Sequence, residues 1–535
     1  MFAFILNVLM KPSVLLYDTT LRDGAQAEGI NFSCADKLRI AQKLDQFGAH
    51  YIEGGWPGSN HKDIEFFERA RELKLTHAKL AAFGSTRRVG GEVDADAQVR
   101  LLLEAETPVV TIYGKTWLLH VTEVLRTTAE ENLAMIADTV RYLKSHGRAV
   151  VYDAEHCFDG YRADPDYAMA CLLAAADAGA DWLSLCDTNG GSLPEFVAEV
   201  TRRVCNTFAC PVAIHSHDDG GLGVANALAS IQAGATQVQG TINGYGERTG
   251  NCNLTSVLPN LQLKMGHHVV SEERLSQLRD LSLFLDEIAN QHPNIRAPFV
   301  GQASFAHKGG THVNAVNKLI NSYEHIEPGK VGNHRRVLVG ELSGRTNVMM
   351  KARELQFAVE EKSEEARRIL DRVKVLENEG YEFESADASF ELLLLKETGR
   401  YKPSFELLEY HVSIRRTPAK DYDSCEATVK IAVAGEKVYT VAEGDGPVNA
   451  LDAALRRALA SFYPQLAETR LTDYKVRIVN SGAGSAAKIR VLVESTNGLT
   501  SWSTVGVSTN VIEASWIALT DALEYQILLN QKRKA

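Results

Sequence analysis

Two histidines, His215 and His217, stand at the end of an apolar run that is typical of a buried β-strand. Alternate residues of extended backbone point to the same side, so both imidazoles are expected to face one way. Imidazoles arranged in this manner bind divalent metal ions. A hydrogen-bonded histidine pair at the start of a helix is the simpler alternative. We predict a metal site here, because acidic and glycine residues follow directly in Asp218–Gly221.

A second polar cluster, Arg22 and Asp23, follows the first apolar run of the chain. The planar guanidinium of Arg22 suits a carboxylate, and the hard oxygen of Asp23 suits a divalent ion. Taken alone, such a pair fits a surface ion pair in a turn equally well. A functional role for Arg22 and Asp23 therefore requires further polar residues close to them in the fold.

A third cluster, Asn243–Asn251, is rich in glycine and follows the last apolar run of this region. Its GxGxxxG spacing and its late position argue against a dinucleotide-binding loop. We interpret it as a tight loop that directs the Asn251 amide inward. Together with Asp23, His215 and His217, this amide oxygen forms a mixed nitrogen and oxygen set that suits Mg²⁺, Mn²⁺ or Zn²⁺.

Other polar residues are weaker candidates. Glu155, or the adjacent His156, can serve as a general base, although a structural carboxylate explains Glu155 equally well. Thr188 can donate a hydrogen bond to a substrate, although threonine at such a position is also a common helix cap.

The segments that precede these clusters are short and rich in β-branched residues, and they alternate with amphipathic stretches of crossover-helix length. The predicted strands are Val14–Tyr17, Tyr51–Glu53, Lys79–Phe83, Val109–Tyr113, Ala149–Tyr152, Trp182–Cys186, Val212–His215 and Gln237–Ile242. This rhythm predicts an α/β fold, a (β/α)8 TIM barrel over residues 13–285, with an open doubly wound sheet as the alternative. In a closed barrel, the first, seventh and eighth strands are neighbours, so the three clusters meet.

The remaining chain has a different character. We expect residues 1–12 to form an N-terminal extension and residues 286–405 to form mostly helical linker subdomains that cover the active site. Residues 406–535 are expected to form an α+β domain, which resembles a duplicated β–α unit. Its predicted elements are strands 411–415, 427–433, 474–479 and 487–495 and helices 448–461 and 512–529.

Composition narrows the class of protein. The 535 residues are 45% hydrophobic and carry a formal net charge of −11, without a run rich in lysine or arginine. This argues against nucleic acid or an anionic membrane as the main partner. The 8 cysteines include no CxxC pair, so we expect free thiols in the cytoplasm.

Three strings carry a family resemblance: LRDGAQ, HSHDDGGLGVANALASIQAGA and TINGYGERTGN. They resemble the signatures of the 2-isopropylmalate, homocitrate and citramalate synthase family, and the resemblance runs from about Tyr17 to the final helix. Within this family the chain is most similar to the citramalate synthases, in Tyr152–His156, Phe305–Val316 and Ser503–Trp516.

The resemblance implies condensation of acetyl-CoA with pyruvate and water to give citramalate and CoA, a step of isoleucine biosynthesis. It implies that Arg22 handles charge on the oxo acid and that Glu155 is the base. It also implies that His312 and Tyr323 assist this base. They lie in the segment after the barrel, which a partner subunit can supply. The remaining roles fall to the metal ligands Asp23, His215, His217 and Asn251 and to the substrate-binding residues Arg22, Gln26, Tyr152 and Thr188.

The resemblance also implies a homodimer whose C-terminal domain, residues 406–535, binds isoleucine as a regulator; a purely dimerising domain is the alternative. For the reaction, 2-isopropylmalate synthase is a close rival, because only the pocket lining distinguishes the two oxo acids. A metal-dependent lyase or aldolase on the same barrel is a second rival. A non-enzymatic binding protein would require a vestigial ligand set, yet the set is complete.

Overall fold

A computed structural model of the chain describes residues 13–319, 322–338, 347, 350–352, 355, 357, 363–415, 424–479, 484 and 486–534. The chain divides into two units, residues 1–305 with 326–334 and residues 306–325 with 335–535. The expected N-terminal extension, residues 1–12, lies outside the described residues, as do parts of the expected linker.

The first unit contains a closed barrel of parallel strands. These are β1 (Leu15–Asp18), β2 (Tyr51–Gly55), β3 (Lys79–Ser85), β4 (Val109–Lys115), β5 (Ala149–Glu155), β6 (Trp182–Asp187), β7 (Val212–Ser216) and β8 (Gln237–Gly240). Each strand pairs with the next, and β8 returns to β1 with Gln237 beside Leu15. The predicted TIM barrel is confirmed, and the open sheet is excluded.

Helices follow the strands, as the amphipathic stretches predicted. They are α1 (Cys34–Phe47), α2 (His61–Ala70), α3 (Ala97–Glu104), α4 (Ala129–Ser145), α5 (Cys157–Ala163), α6 (Pro165–Asp177), α7 (Pro194–Thr207), α8 (Gly223–Ala233), α9 (Leu254–Pro259), α10 (Glu272–Leu275) and α11 (Leu278–Ile288). Local sequence sets their ends. In α1, Ser33 and Asp36 form a capping box, and Gly48 adopts the left-handed conformation that stops the helix.

Strand alternation separates an apolar from a polar layer inside the barrel. Tyr17, Ala81, Val109 and Val151 pack together as a small apolar cluster. Further along the strands, toward their carboxyl ends, the inward positions become polar. The predicted site residues therefore lie at the carboxyl end of the barrel.

The second unit ends in two similar β-β-β-α units. Its described elements are β9 (Ala306–His307), α12 (Gly310–Lys318), β10 (Arg336–Val337), α13 (Glu364–Glu379), α14 (Asp387–Glu397), β11 (Glu406–Arg415), β12 (Ser424–Val433), β13 (Glu436–Gly444), α15 (Pro447–Leu459), β14 (Arg470–Ile478), β15 (Ile489–Thr496), β16 (Ser501–Ser508) and α16 (Val511–Lys534). The sheets β11-β12-β13 and β14-β15-β16 are antiparallel. The duplication is confirmed, but β13 and β16 were not predicted.

Two further properties follow from the described residues. The 8 cysteines are free thiols, as predicted, and most are buried. Within the described ranges, every helix is too short or too polar to cross a membrane.

A buried carboxylate holds the connection into β3. Asp45, on α1, accepts hydrogen bonds from the backbone N–H groups of Thr76, His77 and Ala78 at 2.7–3.1 Å. Burial raises the pKa of Asp45, but these N–H donors outweigh it and the pKa is lowered overall. The charged form is therefore favoured by folding.

We predict that Asp45→Ala lowers the free energy of unfolding by about 2 kcal/mol, because backbone donors lose their acceptor. The folded-state pKa is depressed, so this stabilisation is present above the unfolded value of about 3.9 and disappears as pH falls through the folded value. Urea titrations of the full chain at pH 7 and pH 3 measure it. Glu68→Ala, an exposed carboxylate of α2, is the control. Equal effects of the two substitutions at pH 7 would contradict the assignment.

Candidate active site

The turn after β1 is anchored on β8. The backbone N–H and the hydroxyl of Thr19 donate to the carbonyl of Gly240 at 2.8 and 3.1 Å. The carbonyl of Thr19 in turn accepts from the N–H groups of Arg22, Asp23 and Gly24 at 2.9–3.1 Å. This tight turn places Arg22 and Asp23 over the carboxyl end of the barrel.

Asp23 lies close to His215, on β7, and to His217, directly after the end of that strand. Oδ2 of Asp23 lies 3.3 Å from Nε2 of His215 and 4.0 Å from Nε2 of His217, and the two Nε2 atoms are 3.4 Å apart. The three residues are buried, and their ligand atoms lie within 4.8 Å of one another. A carboxylate oxygen and two ring nitrogens thus converge on one point.

Backbone pairing brings Asn251 to the same place. Residue 251 forms an isolated antiparallel bridge with His217, and the N–H of Cys252 donates to the carbonyl of Ser216 at 2.8 Å. Gly250 is required in this loop, because its φ is +109° and an added Cβ would lie 2.0 Å from the carbonyl oxygen of Gly244. The Oδ1 atom of Asn251 is buried and makes no hydrogen bond within the described residues.

The charges of the cluster fit a metal ion. Burial opposes ionisation of Asp23, but Arg22 and then His215 hold its pKa well below the ordinary value. Burial, followed by the neighbouring His215, lowers the pKa of His217 to about 4. An ionised carboxylate, a neutral imidazole and an unpaired amide oxygen are the forms that bind metal. The residues therefore fit a divalent cation held by Asp23, His215, His217 and Asn251.

Arg22 is fixed on three sides. Its Nε donates to Oε1 of Glu53 at 2.5 Å, and its Nη1 lies 3.0 Å from Oδ2 of Asp23. The guanidinium carbon lies 3.7 Å from the ring centroid of Phe83, a cation–π contact. Nη2 makes no hydrogen bond within the described part of the chain. One face of a held cation is therefore free to receive an anion.

Glu155 and Thr188 lie at the carboxyl ends of β5 and β6. Glu155 forms an ion pair with Lys115 of β4, and about a quarter of its side chain is exposed. The hydroxyl oxygen of Thr188 accepts from the N–H of His156 at 2.9 Å, which leaves the hydroxyl hydrogen to donate elsewhere. His156 has a left-handed backbone, with φ at +54°. Strain of this kind is common at functional sites.

Two predicted substrate-binding residues are placed differently. Tyr152 is fully buried, and its hydroxyl lies 3.4 Å from that of Thr116 in the layer between strands and helices. The prediction that Tyr152 binds substrate is wrong. On β5 the odd-numbered residues face the barrel axis, so Asp153 takes the inward position. Gln26 is exposed, and the structure does not bring it into the cluster.

His312 and Tyr323 belong to the second unit. Their rings stack on each other, with centroids 4.2 Å apart and an angle of 23° between the planes. Half of the Tyr323 side chain is exposed.

Three buried polar residues beneath the cluster were not predicted: Glu53, Asp153 and Gln239. Glu53 accepts hydrogen bonds from Arg22 and from the hydroxyl of Tyr17, the latter at 2.7 Å. Burial, and then the charge of Glu53, raises the pKa of Asp153 to about 6. Alternation along the strand places each of them at an inward position, but it does not distinguish a functional polar residue from a structural one.

Comparisons with known proteins identify the family of the chain. Family models match along the chain: "HMGL-like" over residues 13–284, "Homocitrate synthase post-HMGL domain-like" over 299–381 and "LeuA allosteric (dimerisation) domain" over 384–527. An (R)-citramalate synthase of Aquifex aeolicus is 52% identical, over 98% of this chain and 99% of that protein.

Other relatives extend the comparison. An (R)-citramalate synthase of Synechocystis sp. is 52% identical over 97% of both proteins. A 2-isopropylmalate synthase of Pyrococcus furiosus is 30% identical over 96% of this chain and 99% of that protein. Similarity of this extent across the barrel and the second unit leads to one conclusion. The chain belongs to the 2-isopropylmalate/homocitrate synthase family, within its group of (R)-citramalate synthases.

Proposed function

We propose that the chain condenses acetyl-CoA with pyruvate and water to give (R)-citramalate and CoA. The observation that carries this proposal is the convergence of Asp23, His215 and His217 beside Arg22, in a chain half identical to (R)-citramalate synthases. Isoleucine biosynthesis is the pathway that uses this product. Residues 13–285 are the proposed catalytic barrel.

The oxo acid binds between Arg22 and the metal ligands. When bound there, a divalent cation supplies Lewis acidity toward the ketone oxygen. Arg22, held by Glu53 and Phe83, uses its free Nη2 to balance the negative charge that develops on that oxygen. The hydroxyl of Thr188 donates to the carboxylate of the oxo acid, because the N–H of His156 occupies a lone pair of its oxygen and leaves its hydrogen available.

A base must remove a proton from the acetyl methyl group, which is a very weak acid. Glu155 is the proposed base, because it stands at an inward position at the end of β5, where Lys115 pairs with it and part of its side chain is exposed. His312 and Tyr323, which stack on each other, assist from the second unit, supplied by the same chain or by the partner of a homodimer.

The reaction consists of a condensation followed by a hydrolysis. The deprotonated methyl carbon attacks the ketone carbon of pyruvate, a carbon–carbon bond forms, and the ketone oxygen takes up a proton. Water then cleaves the thioester, which releases CoA as its thiol and leaves a second carboxylate on citramalate. Hydrolysis of the thioester makes the sequence effectively irreversible.

The proposed regulatory region is residues 406–535, with 286–405 as linker subdomains. Its two β-β-β-α units resemble the allosteric (dimerisation) domain that matches over 384–527. Isoleucine, the end product of the pathway, is the proposed effector. This region also forms the proposed homodimer.

We predict that the purified chain releases CoA thiol with acetyl-CoA and pyruvate faster than with 2-oxoisovalerate. EDTA is expected to abolish the release, and Mn²⁺ or Zn²⁺ to restore it, since the ketone loses its polarising cation. Thiol release measured with a panel of oxo acids checks both expectations. A preference for 2-oxoisovalerate would replace the substrate assignment, and full activity after exhaustive chelation would refute the role of the metal.

Glu155→Gln is expected to lower kcat by about 10²- to 10⁴-fold, the usual contribution of a general base, with little change in KM for pyruvate. Steady-state kinetics of thiol release measures this effect. Glu247→Gln is the matched control, because Glu247 is a largely exposed carboxylate of the loop after β8. Wild-type kcat in Glu155→Gln would exclude Glu155 as the base.

L-Isoleucine is expected to inhibit the intact chain, whereas D-isoleucine, of the same composition, is expected to leave it active. Truncation is a poor test, because Val505 and Val507 of β16 share a core with α13 and α14. Hydrogen exchange of the full chain is used instead, and protection should rise within 406–534. Activity and exchange that do not respond to L-isoleucine would exclude it as the effector.

A further inference from the structure

Behind His215, two polar side chains form a line into the barrel. Nδ1 of His215 lies 3.0 Å from Oε1 of Gln239, on β8. Nε2 of Gln239 donates to Oδ1 of Asp153, on β5, at 3.4 Å. All three side chains are buried. The line therefore crosses the barrel from one wall to the other, beneath the proposed metal ligands.

The order of atoms along this line follows from which groups donate and which accept. A carboxyl group always has an oxygen that can accept, so Asp153 draws the NH₂ end of the Gln239 amide toward itself. The carbonyl end of Gln239 must then face His215. A carbonyl oxygen can only accept, so Nδ1 of His215 carries a hydrogen. Nε2, which lies 3.3 Å from Oδ2 of Asp23, is thereby the ring nitrogen left to bind a metal ion.

We propose that Gln239 and Asp153 are positioning residues for the metal: Asp153 sets the orientation of the Gln239 amide, which fixes His215 in the form that binds metal through Nε2. This inference rests on the proposed metal site. Partners of this kind commonly orient metal-bound histidines, and their loss weakens metal affinity.

The same strand provides a matched control. Gln237 lies two residues before Gln239, so both side chains face the barrel interior, and both are fully buried. Neither amide atom of Gln237 hydrogen-bonds to any of the described residues. Substitution at 237 therefore removes an equal amount of buried amide without touching His215.

The test is titration of the metal-stripped full chain with Mn²⁺, with free Mn²⁺ measured by electron paramagnetic resonance. Gln239→Leu is expected to raise the Kd for Mn²⁺ by about 10- to 100-fold. Gln237→Leu is expected to leave the Kd unchanged. An unchanged Kd in Gln239→Leu, or equal losses in both variants, would overturn the proposal.

An exchange of the two groups provides a second, independent test if Gln239→Leu fails to fold. In Gln239→Glu combined with Asp153→Asn, the new amide donates to the new carboxylate, which still offers an oxygen to His215. The Kd of this double variant is expected to return to that of the wild type. A folded double variant whose Kd for Mn²⁺ stays about 10-fold or more above that of the wild type would overturn the inference, the lower end of the range expected when such a partner is lost. A wild-type chain that does not bind Mn²⁺ would overturn the metal site itself.

Discussion

The ionised carboxylate of Asp23, buried at the carboxyl end of the barrel, is the group on which the arrangement of the site depends. Removing a carboxylate from water costs several kcal/mol unless its charge is balanced. Arg22 and His215 provide that balance from two sides, at 3.0 and 3.3 Å. Arg22 and Asp23 follow β1 whereas His215 lies on β7, and β8, which pairs with both strands, brings them together.

The requirement to balance charge continues away from Asp23. Arg22 is a buried cation and is itself balanced by Glu53, which also accepts from Tyr17. On the other side, His215 is followed by Gln239 and Asp153. Hydrogen-bond donors and acceptors alternate along this row of side chains, so a substitution at one position changes the hydrogen bonding of the next. Such a row holds side chains in place more firmly than apolar packing does.

The sequence predicted the barrel well and the terminal domain less well. The barrel strands are largely buried on both faces, so most of them appear as short, mainly apolar runs. Strand β13, Glu436–Gly444, has one face toward solvent, and its charged residues break the apolar pattern. Strand β16, Ser501–Ser508, is rich in serine, threonine and glycine and resembles a loop.

Within the site, the residues that stand in glycine-marked loops or in a histidine pair were recognised. Asp153 and Gln239 lie inside strands, where nothing local distinguishes a functional polar residue from a structural one. Tyr152 was assigned to the pocket although it lies one position from the inward residue. On a strand, one position is the difference between the barrel axis and the helix layer. Sequence spacing therefore indicates where the site lies, whereas the strand register determines which side chains face it.

Closure of the barrel by β1 and β8 also has a consequence for synthesis of the protein. The proposed ligands are separated by more than two hundred residues of chain, from Asp23 to Asn251. In a nascent chain that has emerged only as far as β7, one edge of β1 still lacks its partner β8. Asn251, which follows β8, is not yet available to join Asp23. The full set of proposed ligands is therefore present only after the loop beyond β8 has emerged, and β8 must have paired with β1 before all four can meet.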